Sequence, residues 1–106
     1  MGSDMVKNKD GVLKLLENNE TRLHELGVNR IALFGSFVRN EQRPDSDIDI
    51  MVEFRAGCKN FDNFMELALF LEELMGREVE LVTVESISPR LKPYILDEIE
   101  YAPLSN

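Results

Sequence analysis

The sequence predicts a small α/β fold of the α+β kind, a mixed sheet with helices packed on it. Three observations carry this prediction. Two short apolar runs, Arg30–Phe34 (RIALF) and Ile48–Phe54 (IDIMVEF), are bounded by turn signals and suit buried strands. The segment Glu78–Thr83 (EVELVT) alternates charged and apolar residues, the pattern of a half-buried third strand. Stretches with helical spacing of apolar residues lie between and around these runs.

Leu13, Leu16, Leu23 and Leu26 recur on a helical period, so residues 10–26 read as helical, with Gly27 as the stop. The polar stretch Glu17–Arg22 is where that region divides in two. Gly35-Ser36 turns the chain after the first strand and leads into a single helical turn. Residues 40–46, with Pro44, are loop. Asn60–Met75 holds no Gly or Pro, opens on an Asn or Asp cap and is followed by Gly76, so it is a helix with both ends marked. A last helix lies within Ser86–Tyr101. Pro93 in its interior would remove a hydrogen bond, which sets a break near Lys92.

The apolar residues of Phe61–Met75 cover an arc of about 260°, against the ~100° stripe of an ordinary surface helix. Phe61, Phe64, Met65, Ala68, Leu71 and Met75 share one broad face, and Leu67, Phe70 and Leu74 form a second stripe. Either the helix is sunk between two layers or that second stripe meets a partner.

At 106 residues the chain is one domain's worth. Its 43% apolar and 30% charged composition is that of a globular protein, and no run approaches the roughly 18 apolar residues of a membrane span. The N-terminus lacks the apolar segment of a secretory signal, and residues 1–9 read as tag or disordered terminus. A single cysteine, Cys58, excludes an internal disulfide framework and fits the cytoplasm. Residues 1–60 hold ten acids and nine bases, whereas residues 61–106 hold ten acids and three bases. That balance disfavours a long phosphate backbone as partner but leaves room for a metal–nucleotide complex in the first half.

The chemistry concentrates in Gly35–Val52, GSFVRNEQRPDSDIDIMV. Asp47 and Asp49 lie two apart at the start of a strand, so both project from one face while Ile48 and Ile50 point into the core. Carboxylates so close repel unless a cation lies between them. Hard divalent ions such as Mg²⁺ take carboxylate oxygens and are completed by water and substrate phosphates. Upstream, Gly35 lets backbone come close to a ligand, and Ser36 adds a hydroxyl beside free N–H groups. An anion site next to a cation site describes a bound nucleoside triphosphate. Glu80, on the polar face of a strand able to pair beside Ile48–Phe54, supplies a third acid, as metal ligand or as proton acceptor.

His24 is the only histidine and has no zinc-ligating companions in sequence, and Cys58 has no histidine near it to make a nucleophile. Arg43, Arg55 and Lys59 flank the acids in sequence.

The spaced run Gly35, Ser36, Arg39, Ser46, Asp47, Asp49 resembles the G-S-x-x-R…S-D-x-D signature of DNA polymerase β-like nucleotidyltransferases. In particular the chain resembles the minimal nucleotidyltransferases, antitoxin partners of HEPN-domain toxins, over residues 10–100. The resemblance implies a single nucleotidyltransferase domain over residues 10–102. It implies nucleotide binding by Gly35, Ser36, Arg39 and Ser46, and catalysis and binding of two Mg²⁺ ions by Asp47, Asp49 and Glu80. The implied reaction moves a nucleoside monophosphate, AMP foremost, from ATP or another NTP to a hydroxyl of a HEPN-type toxin. The alternative is an antitoxin that neutralises its partner by contact alone. A homo-oligomer fits either reading; a membrane does not. The chain departs from the family pattern at Val38, where Ala is usual, at Asn40, where Gly is usual, and at Glu80, where Asp is usual.

Overall fold

A computed structural model describes residues 6–104 of the chain. Its elements are α1 (Lys9–Asn18), α2 (Glu20–Glu25), β1 (Val28–Phe34), α3 (Ser36–Arg39), β2 (Ile48–Phe54), α4 (Phe61–Met75), β3 (Val79–Thr83), α5 (Lys92–Glu98) and β4 (Glu100–Tyr101). The strands form one sheet in the order β3-β2-β1-β4. β1 runs antiparallel to both β2 and β4, whereas β2 and β3 are parallel, so the sheet is mixed.

Each predicted strand and helix is present, with local reasons. Asn8 caps α1 by accepting the Gly11 N–H at 2.8 Å, and Asn60 caps α4 by accepting the Asn63 N–H at 2.8 Å. The first helical region divides at Asn19. Gly76 ends α4 in the left-handed conformation, φ 68°. Pro93 falls in the first turn of α5, where a missing N–H costs nothing. β1 begins two residues earlier than the apolar run suggests. A register shift between Val28 and Arg30 lets Val28 and Ile31 both turn inward. β4 was not foreseen; it pairs Ala32 with Tyr101 and Leu33 with Glu100.

Alternation along the strands gives the sheet two unequal faces. One face carries Ile31 and Leu33 of β1, and Ile48, Ile50 and Val52 of β2. It packs against Val12 and Leu16 of α1, Leu23 of α2, Phe37 of α3, and Leu67, Leu71 and Met75 of α4. The other carries Ala32 and Met51, which with Ile87 make a small core edged by Phe34, Val82, Val84, Ile95 and Ile99. This second cover consists of the Val84–Ser86 turn, the chain after it and α5.

One expectation changes, and one open alternative is decided. Val6 is buried, donates its N–H to the Met75 carbonyl at 3.0 Å and accepts from Arg77 Nε at 2.7 Å, so residues 6–9 pack with the fold and are not a loose terminus. Residues 1–5 of the expected tag lie outside the described residues. On α4, Leu67 is 0% exposed, and Phe70 and Leu74 pack against the core, so this stripe is not an open face. The outward stripe is Phe61, Met65 and Leu69, at 76%, 40% and 63% exposure.

Candidate active site

The site forms where β1, β2 and β3 meet on the thinly covered face. β1 ends at Phe34, opposite Asp49 on β2, and Asp49 is in register with Glu80 on parallel β3. In a ladder, paired residues share a face, so the two carboxyl groups stand side by side. Gly35 then turns the chain into α3 with φ 79°, a conformation L side chains rarely adopt. A Cβ there would overlap Asp49 Oδ2, with Asp49 Cγ 3.0 Å away. Glycine is therefore required twice, by backbone conformation and by the Asp49 carboxylate lying against it.

Asp49 is half-buried, and its carboxyl is pushed up to about 6. Burial is the largest cause, followed by the charges of Glu80 and then Asp47, with a hydrogen bond to Glu80 adding to them and Arg39 opposing. Asp47 is exposed, one residue before β2, and it acts on Asp49 through its field. Among the described residues no three carboxylate, imidazole or thiolate groups are gathered tightly enough to hold a metal ion. The pair brought together is Asp49 and Glu80. Two hard oxygen donors close enough to raise a carboxyl pKa fit a hard cation that takes its remaining ligands from water and phosphate.

The residues read as nucleotide-binding are placed differently from one another. The Gly35 N–H donates to Glu98 Oε2 at 2.9 Å. Arg39, at the end of α3, donates from Nη1 to Glu98 Oε1 at 2.8 Å and from Nε to Glu41 at 3.0 Å. Ser36 opens α3 and is half-buried. Ser46 Oγ accepts the Arg43 N–H at 2.7 Å, so this hydroxyl shapes the loop before β2. Asn40 takes the left-handed conformation (φ 59°), which asparagine accepts better than most residues, so it can stand where glycine is usual. Val38 packs at the edge of the main core.

Beside Asp49 and Glu80 lies an open groove of about 290 Å³, walled by Phe34, Val82, Ile87 and Leu91. Arg55 is at the other end of β2, donating to the His24 carbonyl at 2.9 Å, and it does not flank the acids. Lys59 pairs with Glu85 at 3.6 Å. Cys58 is half-buried, packed at the edge of the main core.

Two residues matter that sequence reasoning did not single out. Arg77 donates to the carbonyls of Val6, Pro44 and Ser46 at 2.7, 2.9 and 2.9 Å, and its guanidinium lies 5.2 Å from the Phe37 ring centre. It fastens the loop that delivers Asp47. Glu98 is the other. Neither has a sequence signal, because their partners lie tens of residues away.

Comparison with known proteins agrees with this geometry. Residues 14–102 match the family model described as the nucleotidyltransferase domain. The chain is 50% identical over 72 residues to a Methanocaldococcus jannaschii protein named among the protein adenylyltransferases, covering 68% of this chain and 76% of that one. It is 38% identical over 88 residues to the protein adenylyltransferase MntA of Thermococcus cleftensis, covering 82% and 88%. A solved minimal nucleotidyltransferase superposes with a TM-score of 0.70 at 33% identity, over 83% of this chain and 93% of that one. The tri-AMPylated HEPN toxin of Shewanella oneidensis in complex with its MNT antitoxin provides a second likeness, with a TM-score of 0.55 at 26% identity over 83% and 71%. The chain belongs to the nucleotidyltransferase domain family, among its minimal members.

Proposed function

We propose that the chain is a metal-dependent adenylyltransferase that moves AMP from ATP to a hydroxyl of a HEPN-type toxin and so acts as its antitoxin. The observation that carries this reading is Asp49, held between the Gly35 backbone and Glu80 with its carboxyl pushed up to about 6. Crowded carboxylates repel one another, and a cation between them stabilises the ionised form. The names of the relatives, protein adenylyltransferases, supply the nucleotide, and the AMPylated toxin in complex with a structural neighbour supplies the acceptor class.

In this mechanism the Gly35 N–H and the Arg39 guanidinium bind triphosphate oxygens, and Ser36 and Ser46 border them. Asp49 and Glu80, with Asp47 beside them, would hold magnesium, which supplies neutralisation of phosphate charge. The acceptor hydroxyl enters from the groove between Phe34 and Leu91. Its oxygen bonds to the α-phosphorus, the bond to the pyrophosphate oxygen breaks, and pyrophosphate leaves. Glu80, exposed at the groove, takes the hydroxyl proton. The extra methylene of Glu80 has room because its side chain is exposed on the edge strand β3.

The test is label transfer from ATP and Mg²⁺ to a HEPN-type toxin. The parent should label it, and Asp49→Asn should lose on the order of 10²-fold or more, as expected for a charged group in the reacting centre. Neutralisation by contact alone is the second reading, favoured by the absence of a three-ligand set among the described residues. It predicts no transfer by any variant and equal neutralisation by all.

A further inference from the structure

We propose that Glu98 is an internal competitor for the nucleotide's phosphate, so that the site loads only when α5 releases it. Both oxygens of this carboxylate are used. Oε2 accepts the Gly35 N–H at 2.9 Å, and Oε1 accepts Arg39 Nη1 at 2.8 Å. A backbone N–H and a guanidinium converging on one anion is the arrangement that grips a phosphate oxygen pair. Here the anion comes from the chain's own last helix, 63 residues from Gly35 and 59 from Arg39. The inference rests on the reading of Gly35 and Arg39 as phosphate ligands and adds what stands in their way.

The element that carries Glu98 is suited to letting go. α5 has seven residues, none of them buried, and no side-chain cap at its start. It is tethered by Ile95 and Ile99, which edge the small core, and by the two-residue strand β4 behind it. Segments with few buried contacts open at low cost. The same helix and its approach contribute Ile95 and Leu91 to the groove beside Asp49 and Glu80. One displacement of α5 therefore frees both phosphate donors and widens the acceptor groove. The Glu98 ion pair is a quarter exposed on its carboxylate side and half exposed on its arginine side, so a triphosphate with several negative charges can displace it.

A site whose competent state is only partly populated binds with an affinity reduced by that fraction. Removing the competitor restores the intrinsic affinity. Titration calorimetry with inorganic tripolyphosphate and with a non-hydrolysable ATP analogue, in the presence of Mg²⁺, should show Glu98→Ala and Glu98→Gln binding about 3–10-fold more tightly than the parent. Adenosine, which has no phosphate, should show no gain. Hydrogen exchange at the Gly35 amide should speed up in both variants and slow again when tripolyphosphate is added. Glu98→Gln keeps the size of the side chain and guards against a folding defect in Glu98→Ala. Equal or weaker phosphate binding by both folded variants would overturn the proposal and make Glu98 a support for the Gly35 turn. Arg39→Gln separates the two levels of the argument. If neither the parent nor any Glu98 variant binds tripolyphosphate and Arg39→Gln changes nothing, the phosphate site itself is misplaced and the proposal falls with it. If only the Glu98 variants are unchanged while Arg39→Gln weakens binding, the site stands and the competitor does not.

Discussion

The two faces of the sheet are built for different purposes. One is sealed: Ile31, Leu33, Ile48, Ile50 and Val52 meet four helices, and most of these strand residues are fully buried. The other is covered only in part, by three buried residues and a rim, and leaves Asp49, Glu80 and the groove accessible at one end. The hydrophobic contribution scales with the area removed from water, so the sealed face supplies most of the stability. The thin face keeps charges near solvent, where they can meet a ligand. Strand alternation makes this division possible, because Ile48 and Ile50 anchor one side of β2 while Asp49 is held on the other.

The largest test of that contrast is on the sealed face. Leu67 is fully buried on α4. Leu67→Lys should prevent stable folding, since a charge would be placed in an apolar core, and Leu67→Ala should cost about 2–5 kcal/mol in denaturant unfolding. A folded Leu67→Lys protein would show that α4 is not the roof of the core.

Gly35→Ala tests the seam between the faces. With φ 79° and ψ −150° the backbone sits in a region essentially reserved for glycine, which costs a residue with a Cβ about 1–3 kcal/mol. The new methyl would also displace Asp49. Melting temperature should fall by several degrees, and the further rise produced by Mg²⁺ with a non-hydrolysable ATP analogue should disappear. A variant that keeps this ligand response would show that the Gly35 turn is not part of the nucleotide site.

How much of this was readable beforehand follows the range of the interactions. The bounds of β2 and α4, the Gly76 stop and the start of α5 at Lys92, next to Pro93, are written in nearest-neighbour chemistry. Asp49 facing Glu80 was legible too, because alternation and a single pairing guess suffice. β4 was not, since two residues at the end of a helical stretch gain strand character only from β1. Glu98 and Arg77 were hidden for the same reason. In sequence each is one more charge on a solvated surface, and its role exists only once residues 31–71 positions away arrive. The α4 stripe stayed open between core and interface because an arc of apolar residues this wide does not say which edge faces the sheet.

Asp49 is where the thin face carries a standing cost. Its carboxyl has an ordinary value of 3.8 and is pushed up to about 6, chiefly by burial and then by Glu80 and Asp47. A raised acid binds its proton more tightly when folded, so the unfolded chain is the weaker proton binder between these values. Stability should then fall as pH rises from about 4 to about 6, and stay lowered above that. Asp49→Asn removes the charge while keeping the shape. It should stabilise the metal-free protein by about 2 kcal/mol at pH 7.5, and this gain should fade towards pH 4. Urea unfolding of both proteins across that range checks it; a pH-independent difference would mean that the Asp49 carboxyl is not raised by folding.

The smallest effect is expected on the outside of α4. Leu69 is 63% exposed, two positions from fully buried Leu67, and with Phe61 and Met65 it forms a row spaced four residues apart. Leu69→Lys places a long charged chain where water already reaches, with no cavity left and no polar group stranded. Helix propensity barely changes between these residues. The Lys also falls four residues before Glu73 and three after Glu66, spacings at which opposite charges on a helix attract weakly. Stability should therefore stay within about 0.5 kcal/mol of the parent. Solubility at high concentration should rise as the apolar row is broken. The pair Leu67→Lys and Leu69→Lys is thus a direct reading of how α4 is rotated on the sheet. A loss above about 2 kcal/mol at Leu69 would mean that the helix turns a different edge to the core, because only burial produces costs of that size from a single apolar-to-charged exchange.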